Sequence, residues 1–161
     1  MTLLVGMAIA AQAPASGSLS EPLRPLQFLV GSCWTGTFPG AKSTDTHCFE
    51  PVYDGKFVRD RHIVRGGKQP YEGETIYAWN PKQKKVTYTY FASDGGVSTG
   101  TMETVEGGLV FSESYEGERG GLKMRNLWTV TGADSYDVVV SHWKDGEWRE
   151  MWRMNMRRSA R

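Results

Sequence analysis

The feature that most constrains this chain is a pair of segments near its N-terminus that together read as one β-hairpin. Residues 28–38 and 43–49 are rich in aromatic and threonine residues, and a Pro-Gly pair between them marks a turn. If the turn is centred between residues 40 and 41, residues whose numbers add to 81 face each other, and Cys33 then lies opposite Cys48. We therefore predict a disulfide between the two cysteines, in a hairpin that opens an antiparallel sheet.

A disulfide implies an oxidising compartment, and the N-terminal composition agrees with export. We interpret residues 1–20 as a signal-like apolar segment and linker, because 2–11 is apolar and uncharged and residues 11–13 have the small-x-small pattern of a cleavage site. The apolar run is too short to span a bilayer. The prediction is a periplasmic or secreted protein with one domain over 21–161. The alternatives are two reduced thiols in a cytosolic barrel and an untargeted N-terminus.

After the hairpin, the chain repeats a unit of strand, short glycine-rich turn and strand. The predicted strands are 56–65, 71–79, 86–91, 97–105, 109–115, 122–130, 136–143 and 147–157. About ten strands without long crossover connections predict an all-β fold, an antiparallel up-and-down β-barrel, since closure removes both exposed sheet edges. A flattened β-sandwich is the structural alternative.

Two prolines limit what can precede the barrel. Pro22 and Pro25 exclude a long helix there, but Pro25 can begin a single short N-terminal closing helix. We expect that turn to plug one barrel end with Leu26, Phe28 and Leu29.

Charge and motif content exclude several classes of function. The net charge is +1 with 23% charged residues, so no long-range field points to nucleic acid or to an anionic membrane surface. The chain has no Gly-x-Ser-x-Gly, His-x-His or His-Glu-x-x-His pattern, and its three histidines are scattered along the sequence. We therefore expect neither an enzyme nor a metal site.

One predicted strand carries the candidates for binding an anionic group. Arg59 and Arg61 share one strand face, whereas Asp60 and His62 share the other. If the arginine face points inward, two guanidinium groups meet a carboxylate or another anionic headgroup in the barrel. Solvated, outward-pointing arginines are the alternative.

Aromatic residues and a third histidine complete the predicted ligand-binding set. Core packing is the alternative for the aromatic residues, and a hydrogen-bonded core or rim position is the alternative for the histidine. The candidates are Tyr77, Tyr88, Tyr90, Trp128, His142 and Trp152.

The opening strand also carries a family resemblance. Phe-Leu-Val-Gly at 28–31 followed by Trp34-x-Gly36 resembles the start of lipocalin-like domains of the calycin superfamily, and segments 73–86 and 94–100 are similar to uncharacterised bacterial members. Together these cover most of 25–157. The resemblance implies a barrel with an internal cavity for a small apolar ligand. It also implies barrel closure by Trp34 beneath a basic residue of the last strand, either Arg153 or Arg157.

From these observations we predict a binding protein without catalysis or a required cofactor. Its partner would be a small hydrophobic or amphipathic molecule, with an anionic headgroup as one option, and neither nucleic acid nor an integral membrane site is expected. The ten-strand count is similar to that of fatty-acid-binding proteins and haem-carrying nitrobindins, so a haem-binding barrel with His142 on the iron is one alternative. A fully packed structural or protein-interaction barrel is the other.

Overall fold

Ten antiparallel strands close into one barrel in the computed structural model, which describes residues 17–115 and 123–160. The strands are β1 (Cys33–Thr37), β2 (Thr44–Val52), β3 (Phe57–Arg65), β4 (Tyr71–Asn80), β5 (Lys85–Ala92), β6 (Val97–Val105), β7 (Gly108–Tyr115), β8 (Lys123–Gly132), β9 (Ser135–Lys144) and β10 (Glu147–Ser159). Each strand pairs with the next along the chain, and β1 pairs with β10 to close the ring. The predicted up-and-down barrel is confirmed, and its first and last strands pair with each other instead of forming two open edges.

The opening hairpin has the predicted register. Cys33 faces Cys48, Thr37 faces Thr44, and the two cysteines form a disulfide. The turn contains Gly40 at a φ of 69°, a left-handed conformation that glycine adopts without strain. The cleavage-site and apolar features predicted within residues 1–16 lie outside the part of the chain that the structure describes.

Pro51 lies inside β2. It faces Val58 of β3, whereas on the other side β1 pairs only with residues 44–48 of β2. The missing backbone N–H therefore coincides with a stretch that β1 does not reach, so the strand continues through the proline.

The closing helix begins earlier than predicted. A short 3₁₀ helix runs Glu21–Leu26, so the prediction that it starts at Pro25 is wrong. Pro22 fits because the first N–H groups of a helix have no intrahelical acceptor. Leu26 and Leu29 are fully buried and Phe28 packs against the core, as expected of a plug, and Leu23 joins them. No helix in the described ranges is long and apolar enough to cross a membrane.

The last residues of the predicted linker also pack on the barrel. Leu19 is 3% exposed within the core, and its N–H donates a hydrogen bond of 2.9 Å to Oε1 of Gln27. The N–H of Ser20 donates to the carbonyl of Gly55 at 3.0 Å. The structured region therefore begins before residue 21.

Trp34 lies at the closed end beneath a basic residue of β10. The indole is 1% exposed and its Nε1–H donates to the Leu29 carbonyl at 3.1 Å. The guanidinium carbon of Arg158 lies 4.4 Å from the centre of the Trp34 ring. Trp34 is thus buried beneath a basic residue of the last strand, as the resemblance implies, and its part in closing the barrel stays a prediction.

The basic residue is not one of the two predicted, because strand alternation turns both of them outward. Trp34 faces Arg158 across the β1–β10 ladder, and Arg157 faces Thr35. Arg153 is exposed and hydrogen-bonds Glu150 at 2.8 Å on the outer surface. The prediction that Arg153 or Arg157 covers Trp34 is therefore wrong, because both residues lie at positions of β10 whose side chains point outward.

Candidate functional site

The barrel interior contains a cavity of about 410 Å³ that is partly open to solvent. Most of its wall is aromatic, methionine or valine, and a group of acidic, histidine and tyrosine side chains forms one polar side. No lysine or arginine lines it among the residues that the structure describes. The lining comprises Phe38, Asp45, His47, Asp60, His62, Val64, Tyr71, Thr75, Tyr77, Tyr88, Tyr90, Phe111, Met124, Asn126, Trp128, Tyr136, Val138, Val140, Trp152, Met154 and Met156.

The five aromatic residues predicted to line a pocket all lie in the cavity wall. Alternation places them there, because every second residue of a strand points into the barrel. Some of them also contact each other, and the Tyr77 and Tyr88 ring centres are 5.7 Å apart. Their part in ligand binding stays a prediction. The five are Tyr77, Tyr88, Tyr90, Trp128 and Trp152.

The two predicted arginines point out of the barrel. Val58 and Asp60 on β3 are 0% and 2% exposed, so the intervening Arg59 faces outward, where it forms an ion pair with Glu50. Arg61 is exposed by the same alternation. The prediction that the arginine face lines the cavity is wrong, and the opposite face, with Asp60 and His62, lies inside.

His142 is not part of the cavity lining. It lies near the end of β9 between Met124 of β8 and Arg149 of β10. Its Nδ1 is buried and has no hydrogen-bond partner within the described ranges. The haem alternative therefore lacks the axial ligand on which it was based.

Four side chains from β2 and β3 form what we term the Asp-His cluster: Asp45, His47, Asp60 and His62. The two imidazoles face each other across the strands and stack with 4.7 Å between ring centres. Nδ1 of His47 donates to Oδ2 of Asp60 at 2.8 Å, and Nε2 of His47 lies 3.2 Å from Oδ2 of Asp45. Nδ1 of His62 lies 3.0 Å from Oδ1 of Asp45. Asp45 thus joins the two rings.

Two tyrosines extend the cluster along the wall. Nε2 of His62 lies 3.0 Å from the hydroxyl of Tyr90, which in turn lies 2.6 Å from the hydroxyl of Tyr71. Tyr90 belongs to β5 and reaches His62 on β3 over Gly73 of β4, where a Cβ atom would collide with both side chains. The glycine is what permits this contact between strands that are not neighbours.

The charges in the cluster support one another. Burial alone would raise the pKa of Asp45, but hydrogen bonds from His47 and His62 and their charges outweigh it and hold that pKa well below its ordinary range. Burial alone would lower the pKa of His47, whereas the charge of Asp60 and the hydrogen bonds to both carboxylates raise it to about 10. In the structure as it stands, His47 is therefore an imidazolium between two carboxylates.

Two acceptor atoms of the cavity wall have no partner among the described residues. Oδ1 of Asp60 and Oδ1 of Asn126 are both buried without a hydrogen bond. Buried acceptors are costly to leave unpaired, so each marks a place where a bound group with an N–H or O–H donor would gain a hydrogen bond.

Sequence reasoning missed the Asp-His cluster, although a signal was present. The pattern Asp-x-His occurs at 45–47 and again at 60–62, and Asp54-Gly55 between them marks a hairpin turn. A turn centred there pairs residues whose numbers add to 109, as the structure has it, with His47 opposite His62. Two of the three histidines, scattered along the sequence, are therefore neighbours in the fold.

Comparison with known proteins finds no family model that matches the chain and no curated protein that matches it at a significant level. The cavity and its polar wall are therefore the features that bear on function.

Proposed function

We propose that this protein binds a small, largely aromatic or apolar molecule inside the barrel, without covalent chemistry. The observation that carries the proposal is the internal cavity of about 410 Å³, which exceeds the roughly 300 Å³ of the smallest ordinary ligand sites. A predominantly aromatic and methionine wall favours an apolar ligand body, because burial of apolar surface drives binding. The same space argues against the fully packed structural barrel.

The polar wall favours a neutral or cationic ligand that carries a hydrogen-bond donor. Arg59 and Arg61 are outside, and the imidazolium of His47 is already paired with Asp45 and Asp60, so the described part of the wall offers no unpaired cation to the anionic headgroup considered from the sequence. Asp45 and Asp60 bring negative charge to the wall, and Oδ1 of Asn126 needs a donor. An amine or hydroxyl on an aromatic ring meets all of these conditions.

The compartment belongs to the same proposal. A Cys33–Cys48 disulfide persists in oxidising surroundings, which supports a periplasmic or secreted location. The closed barrel, the Trp34 plug and the internal cavity support the lipocalin-like resemblance of the opening strand, with carriage or sequestration of a small molecule as the role. Fold alone does not assign function, so the ligand test below is decisive.

Two fluorescent probes that differ by one charge test the proposal. N-phenyl-1-naphthylamine is neutral and has one N–H donor, and 8-anilino-1-naphthalenesulfonate is the same skeleton with a sulfonate. We expect the neutral probe to bind saturably at one site per chain and at least about tenfold more tightly, because the imidazolium of His47 is already paired with two carboxylates and does not offset desolvation of the sulfonate. Tighter binding of the sulfonate would contradict the charge assignment.

A pair of matched variants locates the probe. Val140→Phe fills cavity space at a residue that is 3% exposed, whereas Val105→Phe makes the same change at a residue that is 39% exposed. The first should abolish or strongly weaken binding of the neutral probe, and the second should leave it unchanged. Unfolding midpoints of both variants verify the fold, since overpacking costs about 1–3 kcal/mol. Equal binding by wild type and a folded Val140→Phe would place the probe elsewhere and overturn the proposal.

A further inference from the structure

Three potential metal-ligand atoms converge on the polar wall of the cavity. They are a carboxylate oxygen of Asp45, Nε2 of His47 and Nδ1 of His62, and all lie within 4.8 Å of one another. Nε2 of His47 lies 3.2 Å from Oδ2 of Asp45, and Nδ1 of His62 lies 3.0 Å from Oδ1 of the same carboxylate. Two ligands bound about 2.1 Å from one metal ion, at an angle between octahedral and tetrahedral, are about 3.0–3.4 Å apart. Each of the two N···O spacings therefore matches that of neighbouring ligands in a coordination sphere, with one oxygen of Asp45 beside each ring.

The outer nitrogen of each imidazole has a partner that would hold the ring in place. Nδ1 of His47 donates to Asp60, and Nε2 of His62 lies against the Tyr90 hydroxyl. Histidines that bind metals usually donate their other N–H to a carboxylate or another oxygen, which fixes the orientation of the ring. Both rings of the cluster meet this condition, and both point their inner nitrogen toward Asp45.

A third observation comes from the carboxylate behind His47. Asp60 is 2% exposed, and its Oδ1 has no hydrogen-bond partner in the ranges that the structure describes. A buried carboxylate oxygen without a partner is rare unless a further cation or donor belongs nearby. Because the negatively charged Asp60 accepts a hydrogen bond from Nδ1 of His47, it favours binding of a cation at Nε2 of the same ring.

We propose that Asp45, His47 and His62 bind a divalent first-row transition-metal ion such as Zn²⁺ or Fe²⁺. The ion takes the place of the protons that now join the two rings to Asp45, and with a metal on Nδ1 the Nε2–H of His62 donates to Tyr90. Two imidazoles and one carboxylate suit these ions better than Mg²⁺ or Ca²⁺, which prefer oxygen ligands. Three protein ligands leave coordination positions open toward the cavity, for water or a donor atom of a bound molecule.

Metal binding goes beyond the proposed ligand function and does not depend on it. The ion needs only the polar wall, whereas the apolar probe needs the cavity volume at Val140 and its neighbours. Either experiment can therefore fail while the other succeeds.

The direct test is calorimetric titration of tag-free, chelator-treated protein with Zn²⁺ alone. We expect one ion per chain. His47→Ala and His62→Ala should each weaken binding by more than about 100-fold, because each removes a ligand, and His62→Gln provides a milder second variant. His142→Ala is the matched control, since it removes the third histidine of the chain, which lies outside the cavity wall, and it should bind like the wild type.

Two further readouts keep the proposal testable if a ligand variant does not fold. Zn²⁺ should raise the thermal midpoint of the wild type and of His142→Ala in a concentration-dependent way, because it binds only the folded state. Asp60→Asn should retain the 1:1 stoichiometry but weaken Zn²⁺ binding by about 10–100-fold, as expected for a positioning residue behind His47. Absence of saturable Zn²⁺ binding by the wild type, or equal loss in His142→Ala, would overturn the proposal.

Discussion

The guanidinium carbon of Arg158 lies 4.4 Å above the centre of the Trp34 ring, and this contact joins the last strand to the first at the closed end of the barrel. The same guanidinium donates to Oδ1 of Asp134 at 2.7 Å and to the carbonyl of Ala133 at 3.2 Å, and it also contacts Ser32. One side chain therefore ties together β1, β10 and the β8–β9 turn.

Arg158→Ala should destabilise the protein by about 1–2 kcal/mol, because it removes a partly exposed cation–π contact together with several hydrogen bonds. Arg157→Ala is the matched control. Arg157 is the sequence neighbour of Arg158 but faces outward opposite Thr35, so its replacement should change the free energy of unfolding by no more than about 0.5 kcal/mol. Denaturant unfolding measures both. Equal effects of the two substitutions would contradict the closure role of Arg158.

Reduction of the Cys33–Cys48 disulfide should lower the free energy of unfolding by about 3 kcal/mol, since the bridge closes a loop across a sequence separation of 15. The double variant Cys33→Ser/Cys48→Ser should match the reduced wild type and be insensitive to reductant. Mass measurement after alkylation without reductant, on protein from an oxidising compartment, checks that the bridge forms. Two alkylated thiols there would contradict both the bridge and the argument for export.

Gly73→Ala should disrupt the contact between His62 and Tyr90, because a Cβ atom at that position meets both side chains. We expect a loss of about 1–3 kcal/mol in denaturant unfolding, as is usual for overpacking. If the metal proposal holds, Zn²⁺ binding should weaken as well, since His62 loses the partner of its outer nitrogen.

The control for this substitution is Gly67→Ala in the β3–β4 turn. A Cβ atom there has its nearest neighbour, the carbonyl oxygen of Gln69, at 3.6 Å, which is ordinary contact distance, so the change should stay within about 0.5 kcal/mol. Equal stability of the two alanine variants would show that the polar wall tolerates movement of His62.

Alkaline pH should destabilise the barrel through its buried tyrosines. Burial raises the pKa of Tyr136 well above its ordinary value of 10.0, so above that pH the unfolded chain releases a proton that the folded protein retains. The free energy of unfolding should therefore be unaffected by this group below about pH 10 and fall as the pH rises beyond it.

Tyr136→Phe tests this pH dependence. The variant should lose stability less steeply with rising pH than the wild type, whereas Tyr53→Phe, at a residue that is 78% exposed, should follow the wild type. Denaturant unfolding at a series of pH values gives the slopes. A slope unchanged in Tyr136→Phe would show that other groups govern the alkaline limit.

The sequence by itself determined the barrel and the first hairpin because both depend on local signals. Short turns, most of them with glycine, end the strands, alternation gives each strand a face, and the position of the Pro39-Gly40 turn fixes register, so Cys33 opposite Cys48 follows from counting. The same counting from Asp54-Gly55 would have paired His47 with His62.

Only the tertiary structure decided which face of each strand points inward and which side chains of non-adjacent strands contact each other. Arg59 points out of the barrel and its neighbour Asp60 points in. Both faces of β3 carry charged residues, so the sequence pattern shows that the two side chains lie on opposite faces but not which face is inside. Arg158 rather than Arg157 covers Trp34, because consecutive residues of β10 point to opposite sides of the sheet. Tyr90 reaches His62 because Gly73 of β4 lies between them and has no side chain. The alternation of residues within a single strand cannot predict such a contact between two other strands.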